Sequence, residues 1–114
     1  MPTPYSFSTQ DGVLILKIGN LLGERANQQV LRATEARMEQ GHDRLVVDLS
    51  QVDYMNSVGL NLLIILHKKL NGPTRGLVVA GASGKVRELL VMTKLLDLFE
   101  LRPTLPEAVA ALQP

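Results

Sequence analysis

Leu45-Val46-Val47-Asp48-Leu49, answered by Leu77-Val78-Val79-Ala80, is the stretch whose reading decides the fold. Both are short apolar runs rich in β-branched residues, the pattern of central strands covered on at least one face and paired in parallel. Between them, Ser57 to about Leu70 reads as a helix. At 100° per residue Leu62, Leu63, Leu66 and Leu70 fall on one stripe, and Asn71-Gly72-Pro73 closes the segment. Strand, helix and strand in that order form a βαβ unit, whose connection is expected to be right-handed.

Outward toward the N-terminus, Val30, Leu31, Thr34 and Met38 share one side of a helix over Glu24 to Gln40. Arg32, Glu35 and Glu39 fall elsewhere, and Gly41 supplies the stop. Before it, Tyr5-Ser6-Phe7-Ser8 alternates apolar and polar residues, and Val13-Leu14-Ile15-Leu16-Lys17-Ile18 is a richer run. Asp11-Gly12 between them is a turn signal, so the two segments read as a hairpin.

Outward toward the C-terminus, Ala80-Gly81-Ala82-Ser83-Gly84 leads into a third helix from about Lys85 to Lys94, with Ser83 as its cap. Asp97 to Leu101 suits a short edge strand. Thr104-Leu105-Pro106-Glu107 opens a last helix, with Thr104 as cap, Pro106 in the first turn and Glu107 completing a capping box. The expected architecture is α/β, one domain over residues 1–114. It has a mixed sheet of four to five strands and about four helices packed mainly on one side.

The composition fits that plan and narrows the function. At 114 residues, 46% hydrophobic and 20% charged, the chain suits one globular domain with a modest core. Twelve Lys and Arg against eleven Asp and Glu leave a net charge of +1, too little to draw in a polyanion, so no direct nucleic-acid contact is expected. With no cysteine there is no disulfide, thiolate metal site or cysteine nucleophile. No run approaches the roughly 18 to 20 apolar residues of a spanning helix, and Met1 to Gln10 lacks a basic segment followed by an apolar run. Neither secretion nor membrane insertion is indicated, and a cytoplasmic location is expected.

The most informative segment is Asp48-Leu49-Ser50-Gln51-Val52-Asp53-Tyr54-Met55-Asn56-Ser57-Val58-Gly59-Leu60, which leaves a buried strand and enters an apolar helix. Asn56 or Ser57 can cap the first turn, and an anion there meets the positive end of the helix dipole. A phosphate on Ser57 is therefore compatible with the fold. Its roughly −1.5 to −2 charges would still oppose a packed interface. The helix projection sets Ser57, Asn61, Ile64 and Lys68 opposite the leucine stripe, with Leu60 at the edge of that face. Ile64 is apolar on a side expected to face outward, as a partner-binding surface requires. Isolated exposed apolar residues are also common, as are plain capping serines, so the residues alone leave both readings open.

Asp48-Leu49-Ser50, Val52, Met55-Asn56-Ser57 and Gly59-Leu60 together resemble the signature of STAS domains, specifically the bacterial anti-sigma factor antagonists. The resemblance extends over essentially the whole chain, since the hairpin, the helices and the apolar strands occur in that family's order. It implies a partner-switching cycle. The unphosphorylated antagonist binds a serine kinase anti-sigma factor and frees a sigma factor, phosphorylation by that kinase ends the binding, and a PP2C-type phosphatase restores it. Ser57 occupies the phosphoacceptor position, with Asp48, Asn56, Val58 and Gly59 around it and Leu60, Asn61, Ile64 and Lys68 toward the partner. Asn56 stands where the family usually has aspartate, and Val58 where a second hydroxyl residue is common. A monomer or weak dimer without cofactor is expected. The alternative is a STAS subunit that regulates a transporter or another signalling complex by binding alone.

Other motifs do not lead to an enzyme. Gly81-Ala82-Ser83-Gly84-Lys85-Val86 has Val79 and Val86 where a phosphate-binding loop needs Gly and Ser or Thr, so a turn into a helix is the expected reading. A small enzyme or nucleotide-binding protein using the Gly81 to Lys85 loop is a third hypothesis, to be tested by titration with nucleotides and a turnover assay. His42 and His67 have no partners at metal-ligand spacing and are expected to be solvated. Asp48 and Asp53 suit loop ordering more than acid–base work, and Ser57 lacks the flanking glycines of a nucleophile elbow.

Overall fold

In the computed structural model, which describes residues 5–20, 23–53, 55–70 and 76–113, β1 (Tyr5–Gln10) and β2 (Val13–Ile18) form an antiparallel hairpin. Its register runs from Tyr5 opposite Ile18 to Gln10 opposite Val13. That leaves Asp11 and Gly12 for the turn, at φ 52° and 79°, the two left-handed residues a tight hairpin turn demands. The chain continues through α1 (Glu24–Glu39), β3 (Arg44–Asp48), α2 (Ser57–Lys69), β4 (Gly76–Ala80), α3 (Gly84–Met92), β5 (Glu100–Arg102) and α4 (Leu105–Ala111).

The five strands lie in sequence order, β1-β2-β3-β4-β5, with every pair after the hairpin parallel. Each parallel step needs a helical crossover, and crossovers of one hand that advance in one direction leave their helices on one face. Accordingly α1, α2 and α3 supply Val30, Leu63, Leu66, Val86 and Leu90 to a core shared with Leu14, Leu16, Leu45, Val47, Leu77 and Val79 of the sheet. The alternate strand residues Val13, Ile15, Val46 and Val78 point the other way, where Ala108 and Val109 of α4 cover them. Period-two alternation of side chains, with apolar cover on both faces, explains why the central strands read as continuous apolar runs.

The helix ends follow local chemistry. Ser83 Oγ accepts the N–H of Val86 at 3.3 Å and Thr104 Oγ1 accepts the N–H of Glu107 at 3.4 Å, so both expected caps are in place. Gly41, at φ 105°, follows α1. The Thr34 hydroxyl, fully buried on α1, donates to the Val30 carbonyl at 2.7 Å and so enters the core without an unsatisfied donor.

Two boundaries differ from the sequence expectation. The third helix ends at Met92, two residues short of Lys94, because Thr93 is its C-cap and Lys94 turns left-handed at φ 61°. The edge strand is Glu100–Arg102, not Asp97 to Leu101; it begins after a turn closed by Leu98 N–H donating to Leu95 O at 3.0 Å and pairs with Val78 to Ala80 of β4. Asn71-Gly72-Pro73, expected to close α2, lies outside the described residues.

Candidate functional site

The connection from β3 to α2 is fastened stepwise. Leu49 N–H donates to the Ala80 carbonyl at 2.8 Å, carrying the β3–β4 ladder one residue past the strand. Asp48, only 6% exposed, turns its carboxylate forward, and Oδ1 accepts the Ser50 N–H at 2.9 Å. This is the loop-ordering role expected of it. Val52 N–H donates to Leu49 O at 2.9 Å while the Val52 side chain enters the core, and Asp53 N–H donates to Asn20 Oδ1 at 3.0 Å. Asp53 is exposed while Asp48 is buried, so the two carboxylates stand in different surroundings.

Asn56 caps α2. Its Oδ1 accepts the Gly59 N–H at 3.1 Å, and its carbonyl accepts the Leu60 N–H at 3.1 Å. Of the two capping candidates the structure thus selects Asn56, and Ser57 becomes the first helical residue with its side chain exposed. Gly59 is buried beneath Met55; a Cβ there would stand 2.7 Å from Met55 Cγ. Behind the loop, Gly81 adopts φ 67°, where a Cβ would lie 3.1 Å from Ser50 Cβ, and its N–H donates to Arg102 O at 3.0 Å. The turn after β4 therefore packs against the start of the Ser57 loop at the carboxyl ends of the parallel strands.

Along α2 the expected outer face is partly correct. Ser57, Asn61 and Lys68 are exposed and Ile64 is half-buried, packed against the main core. Leu60, expected at the edge of the partner-binding face, is 6% exposed and belongs to the core. The reason is the company the helix keeps. Leu60, Ile64 and His67 fall on one flank of α2, which joins the core that also takes in Phe99 from the segment after α3. There the His67 ring meets Phe99 edge-on, with centroids 5.6 Å apart. His67 is accordingly half-buried against an aromatic ring and not solvated, and His42 is half-buried as well. Lys68 stands eleven residues from Ser57, roughly 16 Å along the helix axis, so it cannot act beside the serine.

The other flank of α2 borders α1 across a groove of about 410 Å³. Ser57, Asn61 and Ile65 line it from α2, and Glu24, Gln28 and Leu31 line it from α1. Val58, half-buried, forms part of the same wall, and Glu24 is the one ionisable side chain among the described lining residues. Farther along, Lys69 pairs with Glu35 at 2.9 Å and ties the two helices together. The groove brings Ser57 beside residues of α1 that sequence reading did not associate with it. Only the packing of α1 on α2 reveals them, since 33 residues separate Glu24 from Ser57.

The Gly81–Lys85 loop behaves as a turn into a capped helix, with Ser83 engaged at Val86 N–H. Among the described residues no helix is long and apolar enough to cross a membrane.

Comparison with known proteins places this geometry in a family. The STAS domain model matches residues 5–108. An anti-sigma-B factor antagonist of Staphylococcus aureus is 30% identical over 91 residues, 80% of this chain and 84% of the relative. The crystal structure of an anti-sigma factor antagonist from Mycobacterium paratuberculosis has a TM-score of 0.84 at 28% identity, covering 96% of this chain and 93% of that one. The Bacillus cell fate determinant SpoIIAA in its phosphorylated form has a TM-score of 0.74 at 14% identity, covering 96% of this chain and 99% of that one, a likeness of fold alone.

Proposed function

The chain belongs to the STAS domain family, and from that premise we propose that it is an anti-sigma factor antagonist whose partner binding is switched off by phosphorylation of Ser57. Unphosphorylated, it binds a serine kinase anti-sigma factor, which then releases a sigma factor. The kinase phosphorylates Ser57 and the complex dissociates, and a PP2C-type phosphatase returns the antagonist to its binding form.

The observation that carries this reading is the position of Ser57, exposed at the first helical residue of α2 and on the rim of the α1–α2 groove, beside a cap made by Asn56. Because the serine hydroxyl is not the cap, modifying it leaves the helix start intact, and the helix N-terminus favours added negative charge. The same charge joins Glu24 on the groove rim. A partner seated over that rim would then have to desolvate a phosphate beside a carboxylate, which costs far more than the interface contacts at one residue return.

The partner surface on this reading is the exposed face of Ser57 and Asn61 continuing into the groove, with Ile64 at its margin and Lys68 at the far end of α2. Leu60 supports it from within the core. Asn56 in place of the family's usual aspartate keeps the capping oxygen and removes one negative charge from beside the acceptor.

The test is mass spectrometry of the wild type and Ser57→Ala after incubation with ATP and the candidate serine kinase from the same genome. Phosphate on Ser57 of the wild type alone supports the cycle. No phosphate, with a kinase shown to be active on another substrate, refutes it.

A further inference from the structure

We propose that Asn20 is a positioning residue for the Ser57 loop, acting through the backbone of Asp53; this rests on the reading of Ser57 as the phosphoacceptor. Asn20 lies just after β2, in the connection that leads into α1, and its Oδ1 accepts the Asp53 N–H at 3.0 Å across 33 residues of sequence. The bond joins the approach to α1 with the approach to α2, the two helices that bound the groove with Ser57 on its rim.

The other fastenings of the loop run in different directions. Leu49 to Ala80, Ser50 to Asp48 and Val52 to Leu49 hold its first half to β3 and β4, and Asn56 holds its end to α2 itself. The Asn20 bond is set between these two groups and fixes the middle of the loop against the β2–α1 connection. It therefore bears on how the approach to Ser57 is held, while Lys69 and Glu35 tie the two helices farther along.

Both Asn20 and Asp53 are exposed, so water competes for the bond and little global stability depends on it. Its effect lies in the fraction of molecules whose loop is already arranged for a partner. Losing that arrangement weakens apparent binding by the same fraction. Asn20→Ala should raise the KM of the kinase for this protein roughly two- to tenfold with kcat nearly unchanged, the range expected for one net hydrogen bond. Asn20→Asp keeps an acceptor oxygen at that position and should restore the wild-type KM when measured at high salt, where the added charge is screened.

The experiment compares wild type, Asn20→Ala and Asn20→Asp by steady-state phosphorylation, by amide hydrogen exchange at Asp53 and by thermal unfolding. The proposal expects faster Asp53 exchange and higher KM in the alanine variant alone, with all three melting within about 3 °C of one another. Wild-type KM and Asp53 exchange in Asn20→Ala overturn it. So does an equal loss in both variants, which would mean the acceptor oxygen is not what matters. Absence of phosphorylation on wild-type Ser57 strikes the reading of the serine and this role with it, whereas a phosphorylated wild type beside an unaltered Asn20→Ala strikes Asn20 alone.

Discussion

Asn56 Oδ1 accepts the backbone N–H of Gly59 at 3.1 Å, and this one bond separates the work of starting α2 from the residue that follows it. Capping falls to Asn56, and Ser57 stands exposed on the first turn. A side chain that both capped the helix and accepted phosphate would have to abandon one task to perform the other.

Asn56→Ala should therefore lower stability by about 1 kcal/mol, the usual cost of a lost side-chain cap. Asn56→Asp should hold or slightly raise stability, because a carboxylate caps equally well and is favoured at a helix N-terminus. Urea unfolding of the three proteins checks this. An alanine variant as stable as the wild type would show that another group satisfies the first turn.

Ser57→Asp should melt within a few degrees of the wild type yet bind the kinase at least tenfold more weakly. Ser57→Ala should bind like the wild type and resist phosphorylation. Calorimetric titration of each with the kinase distinguishes them, and equal affinity of the two variants would contradict a charge-operated switch.

Leu60→Ala should cost about 2–5 kcal/mol, as buried leucine truncations do. Asn61→Arg, one residue on but exposed at the groove, should change stability by less than about 0.5 kcal/mol while weakening the complex. Denaturant curves paired with binding isotherms test both, and a harmless Leu60→Ala would mean that this flank of α2 is not covered as the structure describes.

Gly81→Ala should destabilise by about 1–3 kcal/mol. A Cβ is unfavourable at φ 67°, and here it would also press on Ser50 at 3.1 Å. Chemical denaturation gives the size, and a loss no larger than that of Gly12→Ala, at φ 79° with open space around it, would remove the packing of this turn on the Ser57 loop as a factor.

How far these features could be read in advance depended on whether their cause was local. Asp11-Gly12 announces the hairpin because only particular residues tolerate two successive left-handed positions, and those are φ 52° and 79° in the structure. Ser83 and Thr104 were legible as caps for the same reason, each hydroxyl serving an N–H three residues ahead. The end of α3 was not legible, since Lys94 takes the left-handed conformation without glycine's signature. Nor was the start of β5, which follows the turn that Leu98 N–H closes on Leu95 O.

By itself the sequence determined the strand and helix order, the parallel centre of the sheet and the place of Ser57 at a helix start, because these follow from periodicity and from backbone chemistry within a few residues. Only the tertiary structure decided that Leu60 belongs inside and that Glu24 and Ser57 share one groove. A helical projection fixes the angle at which a side chain leaves its own axis. It carries no information about which neighbours stand on either flank, and in this protein those neighbours, α1 on one side and the segment around Phe99 on the other, settle what α2 buries and what it presents.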